Sequence, residues 1–169
     1  TSSLTRPIGV ILEYPETHPE VSVTIKTPQG HNRAPEKPLG RREIRLGLIG
    51  GGLFTRSVLL PACAKVEGIR FVAVATAGGL SAAHLAKKYG FLRMSSNYKE
   101  ILESPDIDAV MITTRHGLHA SMVAESLRAG KWVFVEKPLA ISPDDVESVL
   151  KATREFGPKA GFFSFEQTG

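Results

Sequence analysis

Residues 44–49, Ile-Arg-Leu-Gly-Leu-Ile, run directly into Gly50-Gly51-Gly52, and an apolar helical stretch follows as far as Val66. No other stretch constrains the fold as much. A short apolar strand that ends in a glycine turn and opens a helix requires a strand buried on both faces and a backbone free to turn tightly. Gly50 permits the turn and Gly52 lets the backbone approach an anion, while the helix behind them offers unpaired N–H groups and partial positive charge. A dinucleotide pyrophosphate is the anion that such a strand-turn-helix holds. The third position of this G-x-G-x-x-G-like string is Thr55 in place of Gly or Ala, which predicts a slightly wider spacing between helix and strand. Pro61 has no N–H and crowds the preceding turn, so a kink or a short first turn is expected there.

Beyond the turn the pattern alternates. A second buried strand is expected at 71–75, a helix over 81–89 stopped by Gly90, a weak strand at 93–95 and a short helix over 98–102. A strand at 109–112 follows, then a helix from about 118 to 129 stopped by Gly130, and a fifth strand at 132–135. Ser142-Pro143-Asp144-Asp145 starts a helix, with a hydroxyl cap, proline at the first helical position and acids in the first turn. That helix reaches about Phe156, and residues 159–165 suit a sixth strand. Uninterrupted apolar strands separated by helices bury both faces and need crossover connections. The fold expected is doubly wound α/β with a mostly parallel sheet, of the Rossmann type, preceded by an irregular N-terminal tail.

Residues 1–41 differ from the rest. They hold six of the eleven prolines and two strand-like stretches, 8–12 and 21–25, which suit one hairpin. Residues 30–40 are polar and broken by Pro and Gly, as in a linker. The boundaries expected are therefore a tail and linker over 1–41 and a dinucleotide-binding domain over 42–169. The 42% hydrophobic and 22% charged content suits a soluble globular chain, with no apolar run long enough for a membrane span. The net charge of +4 draws on Lys26, Arg33, Lys37, Arg41, Arg42 and Arg45, a solvated linker, so no nucleic-acid partner is expected. The single Cys63 lies among apolar residues and reads as a buried, inert thiol. With no secretory signal after Thr1, a cytoplasmic location is expected, and the missing initiator Met suits a piece of a longer protein.

An NAD ribose held by both hydroxyls calls for an acid at the end of the second strand. Residues 74–79 contain none, and Thr76 takes that place. NADP is thus slightly favoured, with a non-discriminating loop as the alternative. His116 and His119 are spaced like a metal pair, but no third ligand accompanies them, and no metal is expected. His84, beside Lys87 and Lys88, reads as a surface residue.

The stretch Trp132-Val133-Phe134-Val135-Glu136-Lys137-Pro138-Leu139-Ala140 resembles the glucose-fructose oxidoreductase/inositol dehydrogenase/MocA (Gfo/Idh/MocA) family. The likeness extends back through Asp106 to Thr114, His119 and Ala129-Gly130-Lys131, and covers roughly 43–155. It implies that Gly50, Gly51, Gly52, Leu53 and Phe54 hold the pyrophosphate and that Thr76 and Ala77 lie by the adenosine ribose. It further implies that Thr113 and Thr114 line the cofactor, with Arg115 and His116 in place of the family's usual Pro-Asn, and that His119 begins the next helix on the cofactor side. Glu136 and Lys137 would flank the nicotinamide ribose and ring. Lys137 would be the catalytic residue, its ammonium reaching the oxygen of the reacting carbon, with Pro138 shaping the turn.

The activity implied is NAD(P)-dependent oxidoreduction of a hydroxyl or carbonyl on a sugar, polyol or related small molecule. A second α/β domain, which would supply the substrate pocket and the oligomer contacts, would lie beyond Gly169, so this chain alone is expected to bind dinucleotide without turnover. Residues 75–82 and 113–120 look like the family's bi-domain members, in which a zinc-alcohol-dehydrogenase-like half comes first; residues 8–15 would then end that half. Two other readings are a regulatory module that senses the dinucleotide without chemistry and a methyltransferase, and Glu136-Lys137-Pro138 argues against the latter.

Overall fold

A computed structural model describes residues 22–24, 43–157 and 162–164. The strands are β1 (Ser22–Thr24), β2 (Ile44–Ile49), β3 (Ile69–Ala75), β4 (Arg93–Ser95), β5 (Ala109–Ile112), β6 (Trp132–Val135) and β7 (Phe162–Ser164). The helices are α1 (Leu60–Cys63), α2 (Gly79–Tyr89), α3 (Lys99–Glu103), α4 (His119–Arg128) and α5 (Pro143–Phe156). All strands join one sheet in the order β1-β4-β3-β2-β5-β6-β7, parallel throughout except for β1. The doubly wound, mostly parallel α/β fold is therefore present.

Strand periodicity explains the two cores. Ile49, Val110 and Ile112 face a cluster completed by Val123 and Leu127 of α4 and by Val149 and Ala152 of α5. Their neighbours Leu48, Val74 and Met111 face the other side, against Leu60, Leu85 and Phe91. Successive strand residues point to opposite faces, so a strand covered on both sides must be apolar at every position.

The helix boundaries follow local chemistry. The Ser142 hydroxyl accepts from the Asp145 N–H at 3.2 Å, and Pro143 occupies the first turn where no N–H is needed. Gly90 ends α2 in the left-handed region at φ +76°. At Pro61 the expected irregularity is a π turn over Thr55–Leu59, in which the Leu60 N–H reaches back to the Thr55 carbonyl, so Pro61 falls in the opening turn of α1.

Of the two stretches expected to form a hairpin, residues 8–12 lie outside the described residues. The second supplies β1, which pairs antiparallel with β4 in the register Ser22 to Ser95 and so lines that edge of the sheet. Cys63 is half-buried where a buried thiol was expected, because it lies on the short α1 at the border of its cluster; partial burial still pushes its pKa up and keeps the thiol protonated. Among the described residues no helix is long and apolar enough to cross a membrane.

Candidate functional site

The chain leaves β2 for β3 and β4 on one side and returns to place β5, β6 and β7 on the other. Such a switch point opens a crevice at the carboxyl ends of the strands. The glycine turn lies there. The Gly50 N–H donates to the Ala75 carbonyl at 2.8 Å and the Thr113 N–H to the Ile49 carbonyl at 2.8 Å, so the turn is tied to both flanking strands. Gly50 has φ +102°, and a Cβ there would come within 2.6 Å of the Thr113 carbonyl carbon and oxygen. Gly51 lies against Leu85 and Thr76, where a Cβ would come within 2.8 Å and 3.2 Å of side-chain carbons. Gly52 differs. It is exposed, a Cβ there would meet no heavy atom within 4 Å, and its surroundings form an open cradle beside exposed Leu53 and Phe54.

The residues expected around the adenosine ribose lie at the end of β3. Thr76 is buried, and its hydroxyl donates to the Gly78 carbonyl at 2.7 Å; Ala77 is exposed. On the other side of the crevice Thr113 is buried, Thr114 half-buried and Arg115 exposed. Among the described residues no three His, Cys, Asp or Glu side chains gather as a metal site. His116 lies edge-on to the His119 ring with centroids 5.7 Å apart.

His119 opens α4 as expected, but its side chain is fully buried. Its Nδ1 lies 2.8 Å from the Pro138 carbonyl oxygen and its Nε2 lies 3.1 Å from the Thr114 carbonyl oxygen. Both partners are acceptors, so an imidazole with one N–H donates to one of them and packs against the other, and it joins the loop after β5 to the loop after β6. That geometry gives His119 no ring nitrogen to offer a ligand. His119→Ala should leave a cavity and one backbone carbonyl without its donor, a cost of about 3 kcal/mol. Urea unfolding of the variant checks this, and an unchanged midpoint would remove the clamp.

β6 delivers the last pair. Glu136 donates its N–H to the Ile112 carbonyl at 2.9 Å, and its Oε1 accepts from the Lys137 N–H at 2.9 Å. Its Oε2 is buried and has no hydrogen-bond partner among the described residues. A buried carboxylate oxygen without a donor is costly unless something else supplies one, and ribose hydroxyls are donors of the right kind. Lys137 is exposed, and its ammonium makes no hydrogen bond or ion pair among the described residues. The Lys137–Pro138 peptide is cis.

Sequence reasoning assigned no role to Lys131. It is buried, its Nζ donates to the Ser104 and Ile107 carbonyls at 2.6 Å and 2.8 Å, and burial pulls its pKa below the usual lysine value. It braces the turn between α3 and β5, as does the Arg45 guanidinium, which chelates Asp108 at 2.9 Å and 2.7 Å from the start of β2. Nothing local to Gly130-Lys131 signals that contact, because both carbonyls belong to a loop more than twenty residues earlier.

A parallel doubly wound sheet, a glycine turn with an open cradle at its switch point and, at the end of β6, a buried carboxylate oxygen with no partner among the described residues define a dinucleotide-binding domain of the NAD(P) type. The family model described as "Oxidoreductase family, NAD-binding Rossmann fold" (GFO_IDH_MocA) matches residues 44–161, and the chain belongs to that family. It is 34% identical over 68% of its length to a 4-carboxy-2-hydroxymuconate-6-semialdehyde dehydrogenase from Sphingobium sp., covering 36% of that protein. It is 32% identical over 68% of its length to a dTDP-3,4-didehydro-2,6-dideoxy-alpha-D-glucose 3-reductase from Saccharopolyspora spinosa, covering 34%. A 3-ketoreductase from Actinomadura kijaniata, solved with NADP and TDP-benzene, superposes with a TM-score of 0.64 at 31% identity over 69% of this chain and 35% of that one. The chain thus spans little more than a third of the length of these relatives.

Proposed function

We propose that this chain is the cofactor domain of an enzyme that moves hydride between a nicotinamide and the hydroxyl or carbonyl carbon of a sugar, polyol or related small molecule. The observation that carries the reading is the pair at the end of β6: an exposed ammonium on Lys137 with no partner among the described residues, next to the buried, unpartnered Oε2 of Glu136. The residues suit the cofactor. Gly50 to Phe54 cradle the pyrophosphate on backbone N–H groups, Thr76 and Ala77 bound the adenosine ribose, Thr113, Thr114 and Arg115 line the crevice, and Glu136 accepts from the nicotinamide ribose. His119 contributes from behind, by holding the Thr114 and Pro138 carbonyls in place.

A bound nicotinamide supplies hydride exchange at its ring. Lys137 then donates to the oxygen of the substrate carbon, whose negative charge grows or fades as the carbon is reduced or oxidised; a preorganised ammonium there stabilises the transition state more than the ground state. The relatives' names support the substrate class, since one acts on a nucleotide sugar and another on a semialdehyde. NADP(H) is the slightly favoured cofactor, because no carboxylate follows β3 to repel a 2′-phosphate.

The domain runs over residues 42–169 behind a tail and linker, with β1 of that tail added to the edge of its sheet. Substrate pocket and oligomer contacts belong to a second domain, without which the chain binds cofactor and turns over nothing, because hydride transfer requires the substrate carbon to be held in near-attack geometry. The test is calorimetric titration of NADP(H) and NAD(H), followed by assay of the full-length protein with sugars, polyols and their keto forms. Dinucleotide binding with turnover is expected. Binding without turnover on any such substrate would favour the sensing module, and no binding of either dinucleotide would end the reading.

A further inference from the structure

The loops that leave β5 and β6 are neighbours. Ile112 pairs with Val135 at the last register position of the two parallel strands, whose backbones lie about 4.8 Å apart, so both loops start side by side at the crevice. The seam to the glycine turn ends at Thr113, whose N–H reaches the Ile49 carbonyl. Past Thr113 the chain is joined to the other side, because the His119 ring lies between the Thr114 and Pro138 carbonyls. Arg115 is the next residue and Lys137 precedes Pro138, which sets two cations on the β6 side of the crevice, away from the pyrophosphate cradle.

The backbone of Arg115 is fixed. It caps the 3₁₀ turn His116–Leu118 with φ −71° and ψ 145°, and its carbonyl accepts from the Leu118 N–H at 3.0 Å. Its side chain is exposed and, like that of Lys137, makes no hydrogen bond or ion pair among the described residues. A guanidinium presents a planar fork of donors that fits a carboxylate or a phosphate.

The charge around it is one-sided. Residues 113–118 and 136–142 contain Arg115, His116 and Lys137 against one acid, Glu136. That acid is turned inward, with Oε1 on the Lys137 N–H at 2.9 Å and Oε2 buried. The next acids, Asp144 and Asp145, belong to the first turn of α5, where they complement the helix dipole and Asp145 accepts from the Ile141 N–H at 3.4 Å. Outward cations around a withdrawn carboxylate favour an anionic solute over a neutral one.

We infer that Arg115 selects the substrate: it pairs with a carboxylate or phosphate group on the sugar or polyol whose reacting carbon Lys137 serves, so the enzyme acts on anionic sugars ahead of neutral ones. The inference rests on the oxidoreductase reading given above and narrows its substrate class. Arg115 is exposed, so its contribution is screened by salt.

The probes are sorbitol, gluconate and sorbitol 6-phosphate, which differ in the anion at one end. None carries an aldehyde or ketone, so beside a reduced dinucleotide each forms a complex that does not react. Calorimetric titration of each into the full-length protein saturated with reduced dinucleotide therefore reads recognition without turnover. Gluconate or sorbitol 6-phosphate is expected to bind about tenfold or more tightly than sorbitol, and the stronger of the two names the anion. Arg115→Ala should cut that preference about fivefold or more, Arg115→Lys should restore part of it, and high salt should lower it. Arg128→Ala, which removes an exposed cation from the far end of α4, should leave it unchanged.

Sorbitol binding as tightly as both anions, or an unchanged preference in Arg115→Ala, would overturn the inference and leave the oxidoreductase reading intact. Loss of dinucleotide affinity in Arg115→Ala with the preference preserved would make Arg115 a cofactor ligand and overturn it in the same way. Failure of all three probes to bind beside a bound dinucleotide would overturn the inference and the sugar or polyol substrate class together.

Discussion

In the full-length protein Lys137→Ala is expected to lower kcat about 10²- to 10³-fold while changing dinucleotide affinity by less than threefold, a range set by the loss of one preorganised donor to a developing oxyanion. At this position the proposed catalytic role can be tested apart from stability. The Lys137 side chain is exposed and makes no hydrogen bond or ion pair among the described residues, so its removal leaves no cavity and no orphaned acceptor. Its melting temperature should match the parent. Initial rates with saturating cofactor, a direct binding titration and a thermal melt make the three measurements. Loss of affinity in proportion to the loss of rate would make Lys137 a cofactor ligand only. An unchanged kcat would leave the end of β6 without a catalytic group and favour the sensing module.

The second large effect comes from the glycine turn, where two alanines one residue apart from a shared neighbour should behave differently. Gly50→Ala forces a side chain into φ +102° and brings its Cβ within 2.6 Å of the Thr113 backbone, the seam that joins β2 to β5. Left-handed strain and displacement of that seam together cost about 3 kcal/mol or more, lowering the melting temperature by roughly 10 °C and abolishing measurable dinucleotide binding. Gly52→Ala meets nothing within 4 Å, so the melt should be unchanged. On the proposed reading its methyl nevertheless enters the cradle for the pyrophosphate, and affinity should fall at least tenfold. Full affinity in Gly52→Ala would place the pyrophosphate elsewhere.

These two glycines also show what kind of information the sequence carries. Strand, turn and helix can be read from residues 44–66 because their causes are local: apolar continuity, the freedom of glycine and the missing N–H of Pro61. The same holds for the Ser142 cap and for the stop at Gly90. The site is legible to the extent that it sits on strand ends, which explains why Gly50, Thr76, Thr113 and Glu136 all lie along one rim of the sheet.

His119 was legible as a helix start but not as a clamp, since its two acceptors lie five and nineteen residues away in sequence, on loops that only sheet order brings together. The same gap hides Lys131, whose carbonyl partners are twenty-seven and twenty-four residues distant. It hides β1 as well: residues 21–25 announce a strand, yet pairing with β4 depends on which edge the wound sheet exposes.

By itself, then, the sequence determined the α/β alternation, the glycine turn and the residues that crown the strands, because hydrophobic period and backbone freedom act over a few residues. Only the tertiary structure decided that His119 faces two carbonyls and that Glu136 keeps a buried oxygen with no partner among the described residues. Those are contacts between groups far apart along the chain, and their distances exist only once the sheet has set its strand order.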